Sequence, residues 1–149
     1  MKENLHSLIY LAQCDTTTGF LSHNAEILNL CKSRPKEQPL LIESSSLHTL
    51  KTLVRVPKKH KNRIRKAKYA TFIYPNKKAL RLVREGLHSY FLKEFKTLYS
   101  TSANPTKEDF NEIWAREKCD VIVLDKRGFS QKTPSRIYKI NQHAIQRRR

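Results

Sequence analysis

Glycine is scarce in this chain: Gly19, Gly86 and Gly128 are the only three among 149 residues. Spaced so widely, they can form neither GxGxxG nor GxxxxGK[ST], so any nucleotide must be held without a Rossmann turn or a P-loop. Cysteine is equally sparse. Cys14, Cys31 and Cys119 are odd in number, far apart and without a CxxC pair. That excludes a disulfide framework and a cysteine zinc site, and fits a reducing, cytoplasmic setting. The six histidines form no HExxH, and no metal site is expected. Apolar runs are short throughout. "SLIYLA" near the start falls short of a signal-peptide core, and nothing approaches a membrane span. Acidic residues are few, 13 against 30 lysines and arginines, for a net charge of +17.

A charge that large favours polyanionic partners, nucleic acid or nucleotide phosphates among them. The length fits one domain with a sizeable core, expected over residues 1–145. The closing "QRRR", residues 146–149, reads as a basic disordered tail. The densest charge lies in "KKHKNRIRKAK", residues 58–68, with seven lysines and arginines.

Apolar runs alternate with helical spacing along the chain. "SLIYLAQ" (7–13) reads as a strand ended by the turn residues of "CDTTTG", with Gly19 supplying a permissive φ. Ser22 or Asn24 can cap a helix running to about Cys31, with Ile27, Leu28 and Leu30 as its apolar side. "PLLIE" (39–43) reads as a buried strand, and a helix follows from Ser44–Ser46, ended by Pro57. "YATFIY" (69–74) is a third strand. Residues 77–95 fit one helical face, although the first few also fit a strand. "TLYSTS" (97–102) is strand-like. Thr106 is the expected cap of a helix carrying Phe110, Ile113 and Trp114. "CDVIVLD" (119–125) and "SRIYKI" (135–140) complete an α/β chain built on a mostly central sheet.

Polar residues gather at the strand ends, where ligands bind in open α/β sheets. Lys32 and Arg34 are two apart, as are Ser102 and Asn104. In extended backbone each pair faces one way. Cations and hydrogen-bond donors at that spacing suit an anionic group. The same spacing also serves plain solvent exposure.

Five segments together resemble the Sua5/YciO/YrdC family. "CKSRPKEQPLL" is similar to its KxRP…PL segment and "LYSTSANP" to its STSAN segment. "CDTTTGF" resembles its PT[DE]TxYGL, "ALRLV" its VR element, and "KTPSRIYKI" its late phosphate-contacting loop. The matches run in the right order over residues 7–140. The resemblance implies a twisted mixed sheet with flanking helices around a deep basic cavity. It also implies threonylcarbamoyl-AMP synthesis from L-threonine, bicarbonate and ATP, serving adenosine 37 of tRNA. By match, Lys32, Arg34, Ser102 and Asn104 form the catalytic tetrad. Arg81 and Ser135 join them as ATP contacts, and Cys14, Thr16 and Thr18 line the threonine loop. Mg²⁺ is expected to arrive with ATP, and partner proteins of tRNA modification are implied.

The chain departs from the family in that same loop. Gln13-Cys14 stands where the family has Pro-Thr, and Thr18 where it has tyrosine. The Trp-Pro-Gly-Pro element is missing from "NRIRKAKY". Two alternatives stay open: a catalytically degenerate member, and a module that binds double-stranded RNA or tRNA through its positive charge.

Overall fold

The structure is a computed structural model describing residues 7–149, so the first six residues of the domain expected over 1–145 lie outside the described residues. In chain order the strands are β1 (Tyr10–Gln13), β2 (Thr18–Ser22), β3 (Leu41–Ser44), β4 (Ala70–Ile73) and β5 (Ala79–Leu82), then β6 (Leu98–Ser102), β7 (Val121–Ile122), β8 (Arg136–Ile140) and β9 (Ile145–Arg147). The helices are α1 (Ala25–Cys31), α2 (Leu47–Leu53), α3 (Lys61–Lys66), α4 (Leu87–Lys93) and α5 (Glu112–Lys118). The α/β class expected from the sequence is the class observed. The described chain divides into two compact units. Unit one runs to Leu40 and resumes over Leu98–Thr133; unit two comprises Leu41–Thr97 and Pro134–Arg149. No helix among the described residues is long and apolar enough to cross a membrane.

In unit one the strands lie in the order β7-β1-β2-β6. β2 pairs antiparallel with both β1 and β6, and β7 runs parallel to β1. The core is Ile9, Leu11, Phe20, Leu28, Ala103 and Ala115, with the Trp114 ring 5.7 Å from that of Phe20. Strand β2 corrects the reading of "CDTTTG" as a turn throughout. Only residues 14–17 turn, and Thr18–Ser22 is a strand buried at every position. Gly19 is needed for room and not for φ. A Cβ there would lie 2.8 Å from Cys14 Sγ and 3.3 Å from the Thr101 carbonyl. Gly19→Ala is therefore expected to destabilise by about 1–3 kcal/mol through overpacking. Adding Cys14→Ala should lower the cost of the glycine change, and urea midpoints of both singles and the double would measure that coupling.

Asn24 is the cap of α1, its Oδ1 accepting from the amides of Glu26 and Ile27. Leu28 is buried, but Leu30, placed on the apolar side by sequence, is 77% exposed. Helix α5 is capped by Asn111, whose Oδ1 accepts from the Trp114 amide, and not by Thr106. The strand expected over 119–125 contracts to the two residues of β7. Before it, the Asp120 carboxylate takes the Ile9 amide at 2.8 Å. After it the chain enters a turn in which Asp125 accepts from the Arg127 amide.

Unit two has the order β3-β5-β4-β8-β9. β3 and β5 are parallel, as are β4 and β8; β4/β5 and β8/β9 are antiparallel. Ser46 caps α2 by accepting from the Thr49 amide. Residues 77–95 resolve into strand β5 and then α4, because the apolar spacing is strand-like at Leu80 and Leu82 and helical only after Gly86. The basic run becomes a 3₁₀ turn at Lys58–His60 followed by α3, which buries Ile64 and leaves its cations outside. The expected tail contributes to β9, where Arg147 pairs with Tyr138. Beyond it, Arg149 donates to the Ser135 carbonyl from Nε and Nη2.

Candidate active site

Helix α1 ends in a way that sets the Lys32–Arg34 geometry. Ser33 has φ 54°, in the left-handed region. Its amide bonds the Leu30 carbonyl at 3.0 Å, and the Arg34 amide bonds the Asn29 carbonyl at 2.8 Å. This is the Schellman arrangement, with serine where glycine is usual. The two cations are therefore displayed by a helix terminus and not by extended backbone, as the alternation alone implied. Asn29 is wholly buried, and its Nδ2 braces the turn by donating to the carbonyls of Lys36 and Gln38.

Both cations reach β6. Lys32 Nζ donates to the Ser102 carbonyl at 2.7 Å and to Asn104 Oδ1 at 3.3 Å. Arg34 Nη1 donates to Thr101 Oγ1 at 3.1 Å. Asn104 is held in turn, its Nδ2 donating to the carbonyls of Pro105 and Glu108. Thr106, expected as a helix cap, instead donates its hydroxyl to the Lys32 carbonyl at 2.9 Å. The structure thus brings together Lys32, Arg34, Ser102 and Asn104, pairs about seventy residues apart in sequence. Burial pulls the Lys32 ammonium down to about 8 from the ordinary 10.5, and the neighbouring Arg34 charge adds to the effect. A cation that is desolvated, and only partly neutralised by carbonyl dipoles, is a strong anchor for an anion.

Strand β2 continues this cluster. Gly19 is the cross-strand partner of Ser102, and the Thr18 carbonyl accepts from the Ala103 amide. Thr18 itself is buried and donates its hydroxyl to Gln13 Oε1 at 2.6 Å. Gln13 Oε1 and Thr18 Oγ1 both accept from the Ser130 amide. The two sequence departures are therefore cross-strand partners that clasp a loop between them. Arg127 closes the same loop. It pairs with Asp125 and donates to the carbonyls of Gln13 and Cys14. Cys14 and Thr16, expected at a threonine pocket, are both buried here.

Arg81 and Ser135 belong to unit two, and each has partners there. Arg81 stands opposite Glu43 in the β3/β5 register and donates from Nε and Nη2 to Glu43 Oε1, with His88 Nε2 at 3.4 Å from the other oxygen. Burial alone would push the Glu43 carboxyl up. The Arg81 guanidinium and His88 overcome that and hold it well below the usual carboxylate range. Ser135 Oγ lies 2.8 Å from Thr71 Oγ1 in a buried contact. Sequence reasoning missed Glu43, His88, Thr101, Arg127 and Ser130. For Arg127 a signal was present: Asp125 two residues earlier marks a charged turn.

No family model matches the sequence, and no curated protein matches it significantly. Solved structures do. P. abyssi Sua5 complexed with L-threonine superposes with a TM-score of 0.74 at 17% identity, over 93% of this chain and 49% of that one. The fold is YrdC/Sua5-like. HypF in its phosphate- and nucleotide-bound form gives a TM-score of 0.72 at 15% identity, over 95% of this chain and 26% of HypF. MTH1692 from Methanobacterium thermoautotrophicum gives 0.65 at 14%, over 89% of this chain and 75% of its own. The chain spans about half the length of the Sua5 structure. At these identities the YrdC-like likeness is one of fold.

Proposed function

We propose that the chain uses ATP to make threonylcarbamoyl-AMP from L-threonine and bicarbonate, for modification of adenosine 37 in tRNA. The observation that carries this reading is the anchoring of Lys32 to the Ser102 carbonyl and Asn104 Oδ1, with Arg34 on the adjacent Thr101. ATP, bicarbonate and a carboxylate repel one another, so gathering them requires fixed positive charge. In the proposed reaction the threonine nitrogen and bicarbonate form a carbamate with loss of water. A carbamate oxygen then bonds the α-phosphorus as the bond to pyrophosphate breaks. Lys32 and Arg34 would neutralise the charge built up there, while the Ser102 hydroxyl orients the phosphate and Asn104 holds Lys32 in place. Donors of this kind repel a bare cation, so Mg²⁺ would enter on the ATP phosphates.

One observation favours a second reading, a fold that keeps the nucleotide half of the site without threonine chemistry. Gln13 and Thr18, which stand where the family pattern places a proline and a tyrosine, bond each other through Gln13 Oε1 and Thr18 Oγ1, and both oxygens accept from the Ser130 amide. The Gln13 carbonyl oxygen and the Thr18 hydroxyl are thus engaged within the chain, and of these two side chains only the Gln13 Nε2 is left without a partner among the described residues. L-threonine is accordingly expected to bind weakly beside a preserved ATP site, a loss on the order of a few kcal/mol. Titration of L-threonine in the presence of an ATP analogue and bicarbonate measures this. Pyrophosphate release from ATP with bicarbonate, assayed across the amino acids, decides between the readings. Release dependent on threonine supports the synthase; no release with any amino acid supports the degenerate form. RNA binding that is steeply salt-dependent, without ATP affinity, would favour a basic RNA-binding module instead.

A further inference from the structure

Between Glu43 and Glu85 no acidic residue occurs, while thirteen lysines and arginines do. Part of that stretch folds around a cavity of about 1040 Å³ that lies wholly within unit two. Its walls come from the end of α2, the extended residues 54–57, the turn between β4 and β5, and the turn between β8 and β9. Two cross-braces hold these pieces together. Asn76 Nδ2 donates to the Leu53 carbonyl at 3.2 Å, and Lys59 Nζ donates to the His143 carbonyl at 3.1 Å. Neither Lys32, Arg34, Ser102 nor Asn104 lines it, and neither do Arg81 and Ser135.

The lining has two chemical characters. Lys51, Arg55 and Lys58 are exposed and have no ion-pair partner among the described residues. Lys51 also meets Lys61 and, beyond it, Arg65. The Lys61 side chain beside it is the main cause that lowers its ammonium from the ordinary value. Such crowding of like charge is relieved by an anion. Val54 and Pro57 give the cavity a buried apolar side, and Tyr74 is 1% exposed. The Tyr74 hydroxyl has no hydrogen-bond partner among the described residues. Burial raises its pKa far above the usual phenol value, so it stays a neutral donor. A buried hydroxyl of that kind calls for a partner.

We infer that unit two carries a binding site for a small phosphorylated ligand of nucleotide size, distinct in its residues from the proposed ATP site. Lys51, Arg55 and Lys58 take the phosphate, and the Val54–Pro57 side takes the apolar body. Size excludes the simpler occupant, because inorganic phosphate would leave most of the volume unfilled; pockets for drug-sized ligands run to about 300–1000 Å³. The lining disfavours an RNA strand. Its one aromatic ring, Tyr74, is buried and offers no platform on which successive bases could stack.

Calorimetric titration of AMP, GMP, CMP, UMP and inorganic phosphate tests the inference on four proteins: wild type, Lys32→Ala, Arg55→Gln/Lys58→Gln and Tyr74→Phe. Arg55 and Lys58 are exposed, so their replacement should leave folding intact. At least one mononucleotide is expected to bind wild type and Lys32→Ala alike. The Arg55/Lys58 double variant should weaken it about tenfold or more, and Tyr74→Phe several-fold. Four results would overturn the site: no mononucleotide binding, equal affinity in the double variant, phosphate binding as tightly as any nucleotide, or loss confined to Lys32→Ala. Since Lys32→Ala disables only the proposed ATP site, failure of one reading is visible apart from failure of the other.

Discussion

Lys32→Ala is expected to weaken ATP binding about ten- to a hundredfold, while Arg148→Ala changes it by less than about threefold. The difference follows from burial. Lys32 is 2% exposed, and a charge-assisted bond made there contributes roughly 1.5–3 kcal/mol. An exposed arginine is screened and contributes about 1 kcal/mol or less. The same residue predicts a pH signature. With its pKa lowered to about 8, Lys32 is charged at neutral pH and loses its proton as pH rises through that value. ATP affinity should fall over that interval, and the inflection should vanish in Lys32→Met. Stability should move the other way. The unfolded chain holds the Lys32 proton up to the ordinary 10.5, so between about 8 and 10.5 it binds more protons than the folded chain. Stability contributed by this group therefore rises with pH across the window. Calorimetric titrations and urea unfolding at stepped pH, on wild type and Lys32→Met, measure both trends. A wild-type ATP affinity independent of pH would remove Lys32 from the phosphate site.

Arg81→Ala should be the most damaging single change to stability, costing about 3–5 kcal/mol. Glu43 is wholly buried and Arg81 is 4% exposed. Without the guanidinium, Glu43 keeps His88 beside one oxygen but loses both donors to the other. Replacing both ends together, as Glu43→Leu/Arg81→Met, should recover most of the loss, because an apolar pair of similar volume leaves no stranded charge. The pH sign is that of a depressed carboxylate. The contribution is complete above the ordinary carboxylate range and is lost as pH falls toward the lower folded value. Guanidinium unfolding of the single and double variants separates the outcomes. Were Arg81 chiefly a nucleotide contact, Arg81→Ala would spare stability and lower ATP affinity alone.

The parts of the fold visible in the sequence were those where apolar spacing and burial agree. α1 and α2 begin at Asn24 and Ser46 because those side chains cap them, and a polar residue ahead of an apolar run is a local signal. β2 was hidden because it is a buried strand that begins Thr-Gly and ends in serine. The Thr18 hydroxyl is paired inside the protein with Gln13 and with Ser130, and the latter lies 112 positions away, outside any window around Thr18. Likewise the Glu43–Arg81–His88 cluster joins residues 38 and 45 positions apart, out of reach of periodicity. At the candidate site, the two-residue spacings of Lys32/Arg34 and Ser102/Asn104 were legible, yet the backbone behind the first pair was not. A helix terminus with serine at positive φ carries no glycine to announce it.

That terminus has a thermodynamic consequence. A seven-residue helix is too short to persist alone, so α1 depends on its cap and on its packing. The Asn24 cap stands at one end of it and the two cations at the other. Lys32 and Arg34 both follow its last turn, so a local opening of α1 would loosen the contacts of both with β6. Under the proposed function, the Asn24 cap, at the other end of the helix, would enter the binding equilibrium through that link.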